Sequence, residues 1–251
     1  MLQAYRKSKV TFLRAPALER IPGVVHAFST RRADSDDFTL GSKGTGVAEN
    51  RVRFLSAVGI PGWPVVRLRQ IHSNIVHPVS ENQAANDENE GDAAYTGLGG
   101  LALGVVTADC VPILVADSGG RGVGAIHAGW RGTSEGVARK TIDAMVSGLN
   151  VDPGDLHAAV GPHIGVCCLE VGEEVFNWFA DSDVFERRAG WGKPHLNLAE
   201  ANRRQLLGAG LAPEHVLVST LCTKCRPDMF YSYRREGGRS GRMFSVIGLV
   251  P

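Results

Sequence analysis

The chain has 251 residues, 43% hydrophobic and 21% charged, and its 27 Lys and Arg against 26 Asp and Glu leave a net charge of +1. That is enough chain to bury a sizeable core, and it lacks the basic excess of a nucleic-acid binder. The longest apolar stretch, 101–116, is interrupted by Asp109 and falls short of the ~20 residues that span a bilayer.

The N-terminus carries basic residues with no apolar core behind them, so no secretory signal is expected there. Five cysteines, an odd number, make a poor disulfide framework. Both features point to the cytoplasm. The 31 glycines cluster where apolar runs end and suggest many tight strand-to-loop transitions.

In chain order, 24–28 reads as a strand and 31–50 as a polar, glycine-dotted loop. A helix is expected over 49–58, with Val52, Leu55 and Ala57 as its apolar positions. The alternating run VVRLRQI, 65–71, predicts a strand, and 80–91 is an acidic loop. Apolar runs at 101–106, 111–115 and 123–126 predict three more strands. The third runs into His127-Ala128-Gly129-Trp130-Arg131-Gly132, after which Thr133 or Ser134 caps a helix whose apolar residues continue to Leu149. A strand at 158–160 and a helix over 172–180 follow. Asn197 with Glu200 three residues on is a capping-box arrangement that starts a third helix, stopping at Gly208. A strand is expected at 216–218. The C-terminus reads as a hairpin, 230–233 against 243–250, turning at 236–241. With no repeat, no linker and no regular βαβ alternation, residues 1–251 are expected to form one domain of α+β (mixed α/β) architecture.

Three residues share a feature that carries chemistry: His72, Cys110 and His127 each stand where a predicted strand gives out. If those strands are neighbours, two imidazoles and a thiolate converge at one rim, a donor set that suits zinc and leaves a fourth position open. Each residue also has a plainer reading as a packed or satisfied side chain. Asp109 beside Cys110 is costly to bury alone and wants a partner; it could orient a metal ligand. Trp130 and Arg131 offer an aromatic face and a guanidinium at a helix start, suited to a planar ring and an anion, and their plain reading is core and solvated surface. Cys222-x-x-Cys225 has no second such motif, and the adjacent Cys167-Cys168 has the wrong spacing for a zinc ribbon, so packed or reduced thiols are favoured there over a structural zinc. Arg234, Arg235, Arg239 and Arg242 form a basic cluster that is either a solvated turn or an anion site.

The segments RQIHSNIV, TADCVPILVAD, AIHAGWRG, GPHIGVCCLEVGEEV and YSYRREGGRSGR, in this order, resemble the laccase-domain or polyphenol-oxidase family, whose YfiH-like members are also described as multifunctional purine-nucleoside enzymes. The resemblance runs from His26 to Ile247. It implies a layered α/β/β/α fold with a mixed β-sandwich and a zinc site of His72, Cys110 and His127. It also implies phosphorolysis of adenosine, inosine, guanosine and methylthioadenosine, with deamination of adenosine, by a monomer or homodimer whose partners are nucleosides and phosphate. Arg51 matches a substrate or phosphate position. On this reading Arg131 joins Arg51 in holding phosphate, and Cys110 and Asp109 are the catalytic candidates. The stretch RADSDDFTLGSKGTGVAE departs from the family pattern and leaves substrate preference open. The rival readings are a copper-dependent phenol oxidase, a metal-free Cys–His hydrolase with Cys110 as nucleophile and His127 as base, and a binding module with a structural metal. The eight histidines contain no His-x-His pair, which argues against a multicopper cluster, although copper can displace zinc from an N/S site.

Overall fold

In a computed structural model the chain is described over residues 1–33, 36–41, 46–80, 89–180 and 182–251. Most of the expected acidic loop and part of the polar 31–50 stretch lie outside the described residues. The strands, in chain order, are β1 Gln3–Lys7, β2 Val10–Arg14, β3 Val24–Ala33, β4 Asp36–Asp37, β5 Val65–Val66, β6 Val76–Pro78, β7 Ala93–Thr96, β8 Ala102–Thr107, β9 Val111–Asp117, β10 Val123–Ala128, β11 Leu156–Val160, β12 Phe185–Glu186, β13 His195–Leu196, β14 Val216–Val218 and β15 Met243–Leu249. The helices are α1 Pro16–Glu19, α2 Val47–Val58, α3 Trp130–Ser134, α4 Val137–Leu149, α5 Glu173–Phe176, α6 Leu198–Gly208 and α7 Tyr233–Glu236.

Two mixed sheets face each other. One has the order β1-β2-β3-β15-β8-β5, with β4 on β3; the other runs β14-β11-β9-β10-β7-β6. Period-two alternation sorts their side chains into layers. Phe28, Leu103, Val105 and Ile247 of the first sheet meet Leu114, Ala116, Val123 and Ala125 of the second. The opposite face of the second sheet (Ile113, Val115, Ile126) is covered by α4 and α6 through Ile142, Met145 and Leu206. Phe244 and Val246 carry the outer face of the first sheet against Phe54 and Leu55 of α2. The result is the expected α/β/β/α sandwich in one domain. Among the described residues no helix is long and apolar enough to cross a membrane.

Several expectations shift. The strand expected over 65–71 is reduced to Val65–Val66, with one further isolated bridge from Arg69 to Glu90. Beyond it the Gln70 side chain replaces the backbone, donating to the Val106 carbonyl at 2.8 Å and accepting from the Val106 N–H at 2.8 Å. Val52 is 67% exposed, while Leu55 and Ala57 are buried as expected, together with Val47, Phe54 and Val58. The helix expected after a cap at Thr133 or Ser134 starts at Val137, because Gly136 takes φ +82 as its N-cap and separates it from the short α3, which contains both expected caps; only glycine enters that region without strain. The helix expected over 172–180 is confined to α5. The C-terminal hairpin does not form: β15 is flanked by β3 and β8, and 230–233 instead leads into the short helix α7. The cap on α6 is as expected, with Asn197 Oδ1 accepting from Glu200 N–H at 3.1 Å. The hairpin of β1 and β2 was not anticipated from the sequence, nor were β6 and β7.

Candidate metal centre

His127 lies inside β10, near its end, on the face that turns toward the other sheet. Cys110 directly precedes β9, and β9 and β10 pair with His127 opposite Pro112. This register brings the imidazole beside the thiol. His72 lies in a turn with φ +62 rather than at a strand end, so one of the three residues is placed by loop geometry. Non-glycine residues in this region are uncommon and need support from their surroundings. Asp92 gives that support.

Asp92 immediately precedes β7, and its buried carboxylate gathers the turn around it. Oδ1 accepts from His72 N–H at 3.0 Å, and Oδ2 accepts from Ser73 N–H at 2.6 Å, Ser73 Oγ–H at 2.7 Å and Ile71 N–H at 3.2 Å. Oδ1 also lies 2.7 Å from His127 Nδ1, and the His127 N–H donates to the Asp92 carbonyl at 2.7 Å. One carboxylate thus sets both the backbone of His72 and the ring of His127. Burial pushes the Asp92 carboxyl up, but the His127 hydrogen bond and the Ser73 donors outweigh it and leave it at about 2. The bond to Nδ1 turns His127 Nε2 away from Asp92 and leaves it free for the cluster, the usual arrangement behind a metal-bound histidine.

The imidazole nitrogens and the sulfur of His72, Cys110 and His127 lie within 4.8 Å of one another. His72 Nε2 is 3.9 Å from Cys110 Sγ, and the two imidazoles meet edge to face with ring centres 5.0 Å apart. Burial raises the Cys110 thiol, but the charge and hydrogen bond of His127 overcome that and bring it to about 6. Burial lowers His127, and the facing Cys110 and Asp92 charges reverse this to about 9. Gly129 closes one side: a Cβ there would stand 2.7 Å from His72 Cδ2 and 3.3 Å from Cys110 Sγ. The residues fit a zinc ion. Two nitrogens and a thiolate are its preferred donors, and tetrahedral coordination sets N and S about 3.5 Å apart, close to the observed spacing.

The centre opens into a cleft of about 560 Å³ lined by Gln70, Thr107, Asp109, Trp130, Tyr233, Arg234 and Arg242, among others. The Thr107 hydroxyl is buried there with no hydrogen-bond partner. Asp109, at φ +96, is fully engaged: Thr223 Oγ–H donates to Oδ1 at 2.6 Å, and Ser232 Oγ–H and Arg234 N–H donate to Oδ2 at 3.0 and 2.7 Å. Arg234 also donates to the Glu170 carbonyl at 2.9 Å. The basic cluster therefore divides. Arg234 and Arg242 line the cleft, while Arg235 binds the Thr223, Lys224 and Phe230 carbonyls.

Arg51 and Arg131 are not among the residues lining this cleft. Arg51 donates to the Leu40 carbonyl at 3.1 Å and to the Gly41 carbonyl, in the segment whose Leu40 N–H and Thr39 hydroxyl bond the Arg242 backbone. The exposed Arg131 guanidinium lies 4.3 Å from the Trp130 ring centre. α3 has only five residues, too few for the extended helix start that the sequence suggested as an anion site. Sequence reasoning missed Asp92, Gln70 and Thr107. The visible signal for Asp92 was a carboxylate opening the buried run Ala93–Thr96, where an unpartnered charge would be costly.

The sequence pattern of the family described as "Multi-copper polyphenol oxidoreductase laccase" matches residues 26–250. The chain belongs to this family. A purine nucleoside phosphorylase of Deinococcus radiodurans is 41% identical over 94% of this chain and 92% of its own length. An adenosine deaminase of an unknown prokaryotic organism is 36% identical over 89% of this chain and 93% of its own. The crystal structure of YlmD from Geobacillus stearothermophilus superposes with a TM-score of 0.88 at 30% identity, covering 99% of both chains.

Proposed function

We propose that this member of the family is a zinc-dependent purine nucleoside phosphorylase, acting on adenosine, inosine, guanosine and methylthioadenosine, that also deaminates adenosine. The observation that carries the reading is a three-donor N/N/S cluster opening into a cleft with aromatic and cationic walls. The names of the similar proteins, a phosphorylase and a deaminase, supply the substrate class.

A zinc ion on His72, Cys110 and His127 would supply Lewis acidity and one open coordination position. The rest is done by the chain's own side chains. Trp130 and Tyr233 provide flat apolar faces for a purine. Arg234 and Arg242 bring cationic N–H donors to the same cleft, and planar guanidinium groups match phosphate oxygens two at a time. Holding phosphate and nucleoside together converts an encounter of two solutes into a reaction within one complex. Phosphate oxygen then bonds to ribose C1′ as the C1′–N9 bond breaks, and the released base takes up a proton. Asp109, with both oxygens engaged, is a positioning residue joining Cys110 to Arg234. Arg51 braces the 39–41 segment beside Arg242. Arg131 acts on the Trp130 ring.

The depressed Cys110 thiol beside His127 also suits the nucleophile of a metal-free hydrolase, the second reading that an observation favours. Product analysis separates the two. With adenosine as substrate, the phosphorylase forms adenine and ribose 1-phosphate only when phosphate is present, and the deaminase forms inosine in either buffer. Free ribose in place of ribose phosphate would discard phosphorolysis. Full activity in protein stripped of metal would discard the zinc reading.

A further inference from the structure

A second cluster stands apart from the residues of the nucleoside cleft. The sulfurs of Cys167, Cys168, Cys222 and Cys225 all lie within 4.8 Å of one another. The sequence spacing argued against a zinc ribbon, and the topology shows how the four residues meet without one. β11 and β14 are parallel neighbours, so their following loops leave the sheet at the same end. The pairing continues past the strands, with a bridge between His163 and Cys222 and with Thr223 N–H donating to the His163 carbonyl at 2.9 Å. One loop delivers Cys167 and Cys168, and the other delivers Cys222 and Cys225.

We propose that these four cysteines form a structural zinc site that clamps the loop after β11 to the loop after β14. Tetrahedral zinc with sulfur at about 2.3 Å requires sulfur–sulfur edges of about 3.8 Å. Cys225 Sγ lies 3.7 Å from Cys167 Sγ and 3.4 Å from Cys168 Sγ. Backbone N–H groups point at a sulfur, as they do around metal thiolates: Gly165 donates to Cys222 Sγ at 3.2 Å. Four protein ligands close the coordination sphere, which separates this site from the open three-donor centre and makes it structural rather than catalytic.

The clamp bears on the cleft. Ile164 and Leu169 of the first loop line it, and Ile164 N–H donates to the Asp109 carbonyl at 2.9 Å. From the second loop Thr223 holds the Asp109 carboxylate. The site therefore fixes the wall that carries Asp109 without touching substrate.

The test uses the full chain with Cys110→Ala, which removes the thiolate of the other centre, and reads metal content and cobalt spectra rather than activity. Wild type is expected to carry two zinc ions per chain and Cys110→Ala one. Cobalt loaded into Cys110→Ala should show the intense sulfur-to-metal bands of a four-thiolate site. Cys222→Ser with Cys225→Ser should lose one ion and expose the 163–169 and 219–226 loops to protease. Because that double variant could misfold, the cobalt spectrum of Cys110→Ala decides. A metal-free Cys110→Ala chain, an iron–sulfur chromophore, or thiol counting that finds the four cysteines as disulfides would each overturn the assignment. None of these results bears on nucleoside cleavage, so the two proposals fail separately.

Discussion

Replacing Asp92 by Asn tests whether the cluster is organised for a metal. The carboxylate is fully buried and accepts from Ile71, His72 and Ser73 as well as His127. Its fall from the ordinary 3.8 to about 2 corresponds to a preference of about 2 kcal/mol for the ionised form. Asparagine keeps the shape, loses the charge, and presents an NH2 group to donors on one side. His127 is then no longer held with Nε2 free, and the His72 turn loosens. Loss of such a carboxylate behind a metal-bound histidine costs roughly 10–100-fold in metal affinity, about 1.4–2.7 kcal/mol, in line with the charge preference. Competition against a zinc-binding dye measures the affinity, and circular dichroism checks the fold. Asp143→Asn, at an exposed residue of α4 paired with Arg139, is the control and should change nothing. An Asp92→Asn affinity within about threefold of wild type would refute the reasoning.

Other outcomes follow from the same geometry. Gly129→Ala places a methyl 2.7 Å from His72 Cδ2; it should weaken metal binding and activity at an overpacking cost of about 1–3 kcal/mol, measured by the same dye competition. Trp130→Ala should raise KM for nucleosides about tenfold while zinc content stays at the wild-type level, read by steady-state kinetics and metal analysis. His26 is buried, its Nε2 accepting from Ala15 N–H at 2.8 Å. Burial, with the Arg14 charge, lowers it from 6.5 to about 3. The unfolded chain takes up this proton near pH 6.5 while the folded chain refuses it until about pH 3, so the contribution to stability is complete above 6.5 and lost as pH falls between those values, by roughly 5 kcal/mol at most. Denaturant titrations of wild type and His26→Gln across that range should converge toward low pH; parallel curves would exclude His26 as a source of acid sensitivity.

The sequence exposed those parts of the fold that are set locally. The cap at Asn197 needs only Glu200 three residues on, and the runs 102–106, 111–116 and 123–126 of β8, β9 and β10 are apolar because both faces are covered. Features decided by distant partners were hidden. Gln70 completes the edge of β8 with its side chain, so a strand pattern at 65–71 yields only the two-residue β5. Met243–Leu249 finds β3 and β8 rather than the adjacent 230–233 segment, so a hairpin pattern becomes a central strand. Gly136 looks tolerable within a helix, yet its positive φ separates α3 from α4. At the site, the resemblance pointed to His72, Cys110 and His127, which the fold brings together, but Asp92 stood outside every quoted motif, and the convergence of the four cysteines depends on a parallel pairing that spacing does not reveal.

The central claim meets its most direct test in ribose 1-phosphate formation from inosine and phosphate by wild type and Cys110→Ala side by side. The account predicts phosphate-dependent product with wild type and none above background with Cys110→Ala, while that variant remains folded. Equal rates from the two proteins, or base release by wild type that ignores phosphate, would contradict it.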